Sequence, residues 1–184
     1  MNMLASRGQL RASFIRWALF TVPLCVLLGF LSGQFGSPDS AWFQSLDKPG
    51  IFPEPKWFGI VWSILYVTIG LAAAMVCSAW GARGREAAII AFIVHFALNL
   101  AWSPVFFAMH QITGALVVLV LVVLTLLFVI VQFWKVRRVA ALLLLPYLAW
   151  VCFATLLNYE FLRLNPDADG ASGQGQVERV RIGG

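Results

Sequence analysis

His95, Asn99, Trp102 and Phe106 stand at i, i+4, i+7 and i+11, so on a helix they form one stripe. Tyr147, Trp150, Ala154, Asn158 and Phe161 follow a similar spacing, and Trp62 and Tyr66 are i and i+4. Ring faces, a few indole, phenol and amide groups, and a small residue at Ala154 suit the holding of a flat apolar molecule that needs few hydrogen bonds. They do not suit hydrolysis. There is no Ser/His/Asp grouping, and Glu160 lies too near the end of its segment to pair with His95. No second His or carboxylate matches the depth of His95, so no metal site is expected. Cys25, Cys77 and Cys152 fall inside apolar stretches at spacings that match no metal site. The residues call for no cofactor.

The elements that carry these residues are long and apolar. Residues 58–80, 87–109, 112–134 and 139–161 are 23-residue stretches whose one charged residue is Glu160. About 20 apolar residues in a helix cross a hydrocarbon core, and unpaired backbone amides in lipid make helix the default. An earlier segment, residues 14–33, contains a 15-residue apolar run from Trp17 to Leu31 behind Arg7, Arg11 and Arg16. By composition it could be a signal peptide or a retained helix. Gly29 and Gly33 favour the helix, as a small-xxx-small packing face. The expected fold is all-α: a polytopic membrane protein, a bundle of five transmembrane helices in one domain. A basic leader (1–13) would precede it, and a Gly-, Asp- and Gln-rich tail (165–184) would be disordered.

Hydrophobic residues make up 61% of the 184-residue chain and charged residues 11%. The net charge of +5 does not point to nucleic acid, because Lys and Arg gather in short clusters at segment ends. Arg7, Arg11, Arg16, Arg83, Arg85, Lys135, Arg137 and Arg138 alternate with sparser ends that hold Lys48, Lys56 and Arg163. The positive-inside bias then puts the N-terminus in the cytoplasm and the C-terminus outside.

At 1.5 Å rise per residue, Trp62, Tyr66, Asn99, Trp102, Ala154 and Asn158 fall within ~5–15 Å of the outer helix ends, with Trp150 and His95 deeper at ~17 and ~21 Å. Above this slab runs the longest connection, residues 32–57, with Pro38, Pro49, Pro53 and Pro55 and room for a short turn near 41–46. Four prolines make a stiff loop suited to a lid. The polar groups have another reading: Asn in a membrane helix is often interhelical glue, and His95 alone is more often a hydrogen-bonded core residue. On residue chemistry alone, cavity and glue stand level.

The runs Trp42-Phe43-x-x-Leu46-x-Lys48-Pro49, Trp57-Phe58-Gly59-Ile60-Val61-Trp62-Ser63-Ile64-Leu65-Tyr66, Leu98-Asn99-x-x-Trp102-Ser103-Pro104-x-Phe106-Phe107 and Pro146-Tyr147-Leu148-Ala149-Trp150 resemble the TspO/MBR family. These are the tryptophan-rich sensory proteins of bacteria and the mitochondrial translocator proteins, or peripheral-type benzodiazepine receptors. Leu157-Asn158-Tyr159 fits too, and the resemblance runs from about Trp17 to Asn165, which favours a retained first helix. It implies a five-helix bundle, often a homodimer, in a bacterial inner membrane. It also implies a cavity under the first loop for porphyrins, sterols or benzodiazepine-type compounds. Carried onto matching positions, ligand contacts would come from Trp42, Phe43, Trp62, Asn99, Trp150 and Ala154, joined on the residue stripes by Tyr66, His95 and Trp102. Lys48, Pro49 and Pro53 match the family's lid.

Phe43 stands where the family often has Tyr, His95 where Gln is common, and Glu54 interrupts a Pro-Pro pair; each bears on ligand preference. Leu157, Tyr159 and Arg163 fit a short, weak sterol-contact pattern, which an interfacial Tyr with a snorkelling Arg explains equally well. Three functions follow: a receptor or carrier that regulates tetrapyrrole level, a light-dependent porphyrin-degrading enzyme using cavity tryptophans, or a structural membrane protein. The expectation adopted is the receptor or transporter.

Overall fold

A capping box starts the first helix. The Ser6 side chain accepts from the Gln9 amide while the Gln9 side chain accepts from the Ser6 amide, which satisfies two donors the helix cannot. In this computed structural model, which describes residues 6–35 and 39–170, helix α1 therefore runs Arg7–Gln34. Arg7 and Arg11, expected in a basic leader ahead of the first helix, are helical. Ser40 caps a one-turn helix α2 (Ala41–Ser45) inside the long loop. Pro55 then opens α3 (Pro55–Cys77) at the first turn, where its missing N–H costs nothing. The helix α3 ends where Arg85 donates twice to the Cys77 carbonyl, at 3.0 and 2.8 Å.

Helix α4 (Arg85–Ser103) passes into a π-helical turn at Pro104–Ala108. Proline has no N–H to continue the ladder, and the register slips so that the Met109 amide donates to the Pro104 carbonyl at 2.9 Å. After His110, which adopts φ 56°, helix α5 runs Ile112–Val136. The expected helix over 139–161 is two pieces, α6 (Arg138–Leu143) and α7 (Leu145–Leu164), broken at Leu144 just before Pro146.

Five units are long and apolar enough to cross a membrane: α1, α3, α4 with its π turn, α5, and α6 with α7. Among the described residues there is no strand. The fold class is the expected one, an all-α membrane bundle.

Helix α1 packs along α3, α4 along α5, and α5 along α7. Glycine sets the first of these contacts. A Cβ on Gly70 would stand 2.6 Å from the Val22 Cα, and the Thr21 hydroxyl donates across to the Gly70 carbonyl at 2.8 Å. The Ser32 hydroxyl reaches the Leu100 carbonyl at 2.7 Å, tying α1 to α4. The core divides in two. Leu65, Ile69, Val122, Leu126, Tyr147 and Val151 fill the middle of the bundle. Trp42, Phe43, Leu46, Phe106, Ile112 and Phe161 form a cap at the loop end.

The expectation of a disordered tail from 165 fails over its first residues. The Asn165 side chain accepts from the Asp47 amide at 2.7 Å and donates to the Asp47 carbonyl at 3.0 Å. Pro166–Ala168 is a short 3-10 turn. One amide side chain with an acceptor and a donor can pair with a loop backbone as a neighbouring strand would. Pro38 and residues 171–184 lie outside the described residues.

Candidate functional site

Beneath α2, between α1, α3, α4 and α7, lies a cavity of about 430 Å³. Its walls are mainly aromatic. Trp62 and Tyr66 of α3 stack at 5.2 Å and 25°, and Trp102 stacks on Phe106 at 5.5 Å and 27°. Phe43, Phe52 and Phe161 close the loop end, with ring centroids 5.6–6.0 Å apart. Ala154 leaves space that a larger side chain on α7 would fill.

The polar groups split into spent and unspent. The Asn158 carbonyl oxygen accepts from the Trp102 indole at 3.2 Å, and its amide donates to the Ile112 carbonyl at 2.9 Å. Asn158 is glue: it ties α4 and α5 to α7. Asn99 differs. Its oxygen accepts a long bond from the Tyr66 hydroxyl at 3.4 Å. Its NH₂ group has no protein partner among the described residues, and the residue lines the cavity. An Asn amide offers two donors, so this cavity presents an uncommitted hydrogen-bonding handle within apolar walls.

Of the residues singled out from sequence, Phe43, Trp62, Tyr66, Asn99, Trp102 and Ala154 line this cavity together. Three others do not. His95 is 1% exposed and sits one turn deeper, with its ring nitrogens 2.9 Å from the Thr125 hydroxyl and 3.1 Å from the Tyr147 hydroxyl. Tyr147 stands between His95 and Trp62, its ring 5.6 Å from the imidazole and 6.1 Å from the indole. Trp42 turns away from the cavity. Its ring stacks on His110 at 4.4 Å and 20°, and its indole donates to the Ala168 carbonyl at 3.3 Å. Trp150 packs against Phe58 and Phe153 at 5.7 and 5.3 Å, with its buried indole nitrogen unpaired among the described residues.

The loop residues pack against and hydrogen-bond the cap. Lys48 donates to the carbonyls of Phe43 and, at 2.8 Å, of Leu46, and its ammonium lies 4.4 Å from the Phe43 ring centre. Partial burial pushes the Lys48 ammonium below its ordinary range, with neighbouring Asp47 opposing. Its charge caps α2 as much as it faces solvent. Pro49 is buried, and Phe52 donates back to it at 2.9 Å in a turn that leads to half-buried Pro53. The sterol-pattern residues do not share a surface: Leu157 is buried on the cavity side, Tyr159 is 50% exposed, and Arg163 pairs with Glu160 at 2.7 Å.

Sequence reasoning missed the wall that α1 supplies. Gly29, Ser32 and Gly33 line the cavity. Gly29 and Gly33 signalled packing, but nothing in the sequence indicated that α1 would bound the site. Phe30, Gly33 and Gln34 of α1 and Gly59 and Ser63 of α3 are lining residues and also exposed. The cavity thus opens sideways between these two helices, while its loop end is covered.

The TspO/MBR family model matches residues 21–164. The chain is 36% identical over 147 residues to the tryptophan-rich protein TspO of Chlorobaculum tepidum, covering 79% of this chain and 93% of that one. It is 38% identical over 139 residues to the protein CrtK of Rhodobacter capsulatus (73% and 84% covered). It is 36% identical over 141 residues to the translocator protein of Bos taurus (74% and 83%).

Proposed function

Because this chain belongs to the TspO/MBR family and is an integral membrane protein, we propose that it is a receptor for a flat, largely apolar ligand of the tetrapyrrole class, held beneath the 32–57 loop. The observation that carries this reading is Asn99, whose uncommitted amide faces a cavity walled by Trp62, Tyr66, Trp102 and Phe106. A volume of about 430 Å³ lies within the span of roughly 300–1,000 Å³ usual for small-molecule sites. Stacked rings suit a porphyrin face, and the Asn99 amide suits a carboxylate or carbonyl on its rim. Sterols and benzodiazepine-type compounds would use the same apolar walls with fewer stacking contacts.

On this reading the protein works by holding its ligand, which regulates the free tetrapyrrole level; two relatives carry the names tryptophan-rich sensory protein and translocator protein. The loop and the 165–170 segment act as the lid, and the open flank between α1 and α3 admits ligand from the bilayer. Basic residues at the α1 start and the α5–α6 joint favour an inner-membrane orientation with the N-terminus in the cytoplasm. Assembly as a homodimer belongs to the same proposal, and light scattering of the purified protein tests it.

A second reading, light-dependent porphyrin breakdown, is favoured by the Trp62–Tyr66 stack, since two oxidisable rings lie together on the cavity wall. Titration of purified protein with protoporphyrin IX tests both. Saturable tryptophan quenching with an unchanged porphyrin spectrum supports the receptor; absence of saturable quenching removes it.

A further inference from the structure

At the opposite end of the bundle from the cavity is a second hollow of about 300 Å³, bounded by Ser13, Arg16, Trp17, Phe20 and Trp80. It lies where the first turns of α1 cross the turn that follows α3. The Trp17 and Trp80 ring centres stand 6.5 Å apart, tilted by 46°, and those of Trp17 and Phe20 6.2 Å apart in an edge-on arrangement. Trp80 is fixed from outside by the Arg85 guanidinium, 4.2 Å from its ring centre, and Arg85 is itself pinned to the Cys77 carbonyl. The walls are therefore set by the fold.

Arg16 has no hydrogen bond or ion pair with any described residue, and neither has the Ser13 hydroxyl, although Ser13 is 9% exposed. Around them the field is of one sign. Residues 6–16 and 78–86 hold Arg7, Arg11, Arg16, Arg83 and Arg85 against Glu86 alone. A guanidinium and a hydroxyl lining one hollow match the oxygens of a phosphodiester, which only accept hydrogen bonds. The remaining walls are not those of a site for a soluble phosphate. Phe20 and Trp80 are 59% and 68% exposed on the flank of a membrane-spanning bundle, where acyl chains would lie against them.

We propose that this hollow is a headgroup site for an anionic phospholipid, with its phosphate on Arg16 and Ser13 and its first acyl carbons against Phe20 and Trp80. Basic and aromatic groups at a bilayer surface attract anionic lipid generally; the proposal adds one defined seat. The test is native mass spectrometry of delipidated full-length protein given equal amounts of phosphatidylglycerol and phosphatidylcholine. Wild type should retain one phosphatidylglycerol in preference. Arg16→Gln should reduce that retention several-fold, Arg16→Lys less, and Arg163→Gln, at the other end, not at all. Should Arg16→Gln fail to fold, Ser13→Ala gives the same reading with a smaller loss. Equal retention of the two lipids, or undiminished retention in the Arg16 and Ser13 variants, would overturn the site. Excess inorganic phosphate separates the sources: the lipid should stay bound, whereas its displacement would make this a phosphate site and overturn the lipid assignment.

Discussion

Gly29 of α1 lies so close beneath the ring of Tyr66 that a Cβ there would stand 2.2 Å from the Tyr66 Cε2. That ring stacks on Trp62, and its hydroxyl donates to Asn99. A missing methyl on one helix thus sets the polar handle of a cavity formed with three others. Gly29→Ala should displace the ring, destabilise the bundle by about 1–3 kcal/mol as overpacking does, and weaken porphyrin binding as well. Gly33→Ala, one turn on, meets nothing within 4 Å among the described residues and, as a Gly-to-Ala change within a helix, should keep or slightly raise thermal stability. Parallel melting curves and titrations of the two variants check this.

An amide ties the 32–57 loop to the residues that follow α7. Asn165→Ala removes both bonds to the Asp47 backbone, each worth about 0.5–1.5 kcal/mol. Hydrogen exchange at the Asp47 amide should accelerate, and ligand release should quicken more than binding slows, since most such changes appear in the off-rate. An unchanged off-rate with accelerated exchange would mean that ligand passes only through the flank between α1 and α3.

Much of this was readable from the chain, for physical reasons. Apolar length set four of the five spans, the first resting on Gly29, Gly33 and the family resemblance, and the helical rise placed Trp62, Asn99, Trp102 and Ala154 in one slab, where they do meet. Depth and stripe could not say which way a ring turns. Trp42 follows the pull of His110 and the Ala168 carbonyl, more than 60 residues away in sequence, and no local pattern encodes such partners. His95 shares a stripe with Asn99, but one turn deeper the Tyr147 and Thr125 hydroxyls satisfy it. Here the glue reading describes the geometry, as it does for Asn158. The 165–170 segment looked disordered because its order comes from contacts with Asp47, Trp42 and His110, not from an apolar stripe of its own.

Trp62 and Trp150 separate cavity wall from surrounding packing. Trp62→Phe trims a lining ring and should weaken porphyrin binding modestly while the fold is kept. Trp150→Phe removes an indole nitrogen with no partner among the described residues and should leave affinity unchanged. Illuminated samples extend the comparison. Equal porphyrin bleaching in wild type, both variants and detergent alone is the expected result; faster bleaching in wild type that Trp62→Phe abolishes would establish the enzymatic reading instead.

Asn99→Leu keeps the volume of the side chain and removes its amide, leaving Trp62, Trp102 and Phe106 in place to stack. Tryptophan-quenching titration of this variant with protoporphyrin IX should show affinity lowered by about two- to tenfold, the loss of one hydrogen bond worth roughly 0.5–1.5 kcal/mol, in a protein whose helical content and melting point are retained. Undiminished affinity in the folded variant would contradict ligand binding through Asn99 in this cavity.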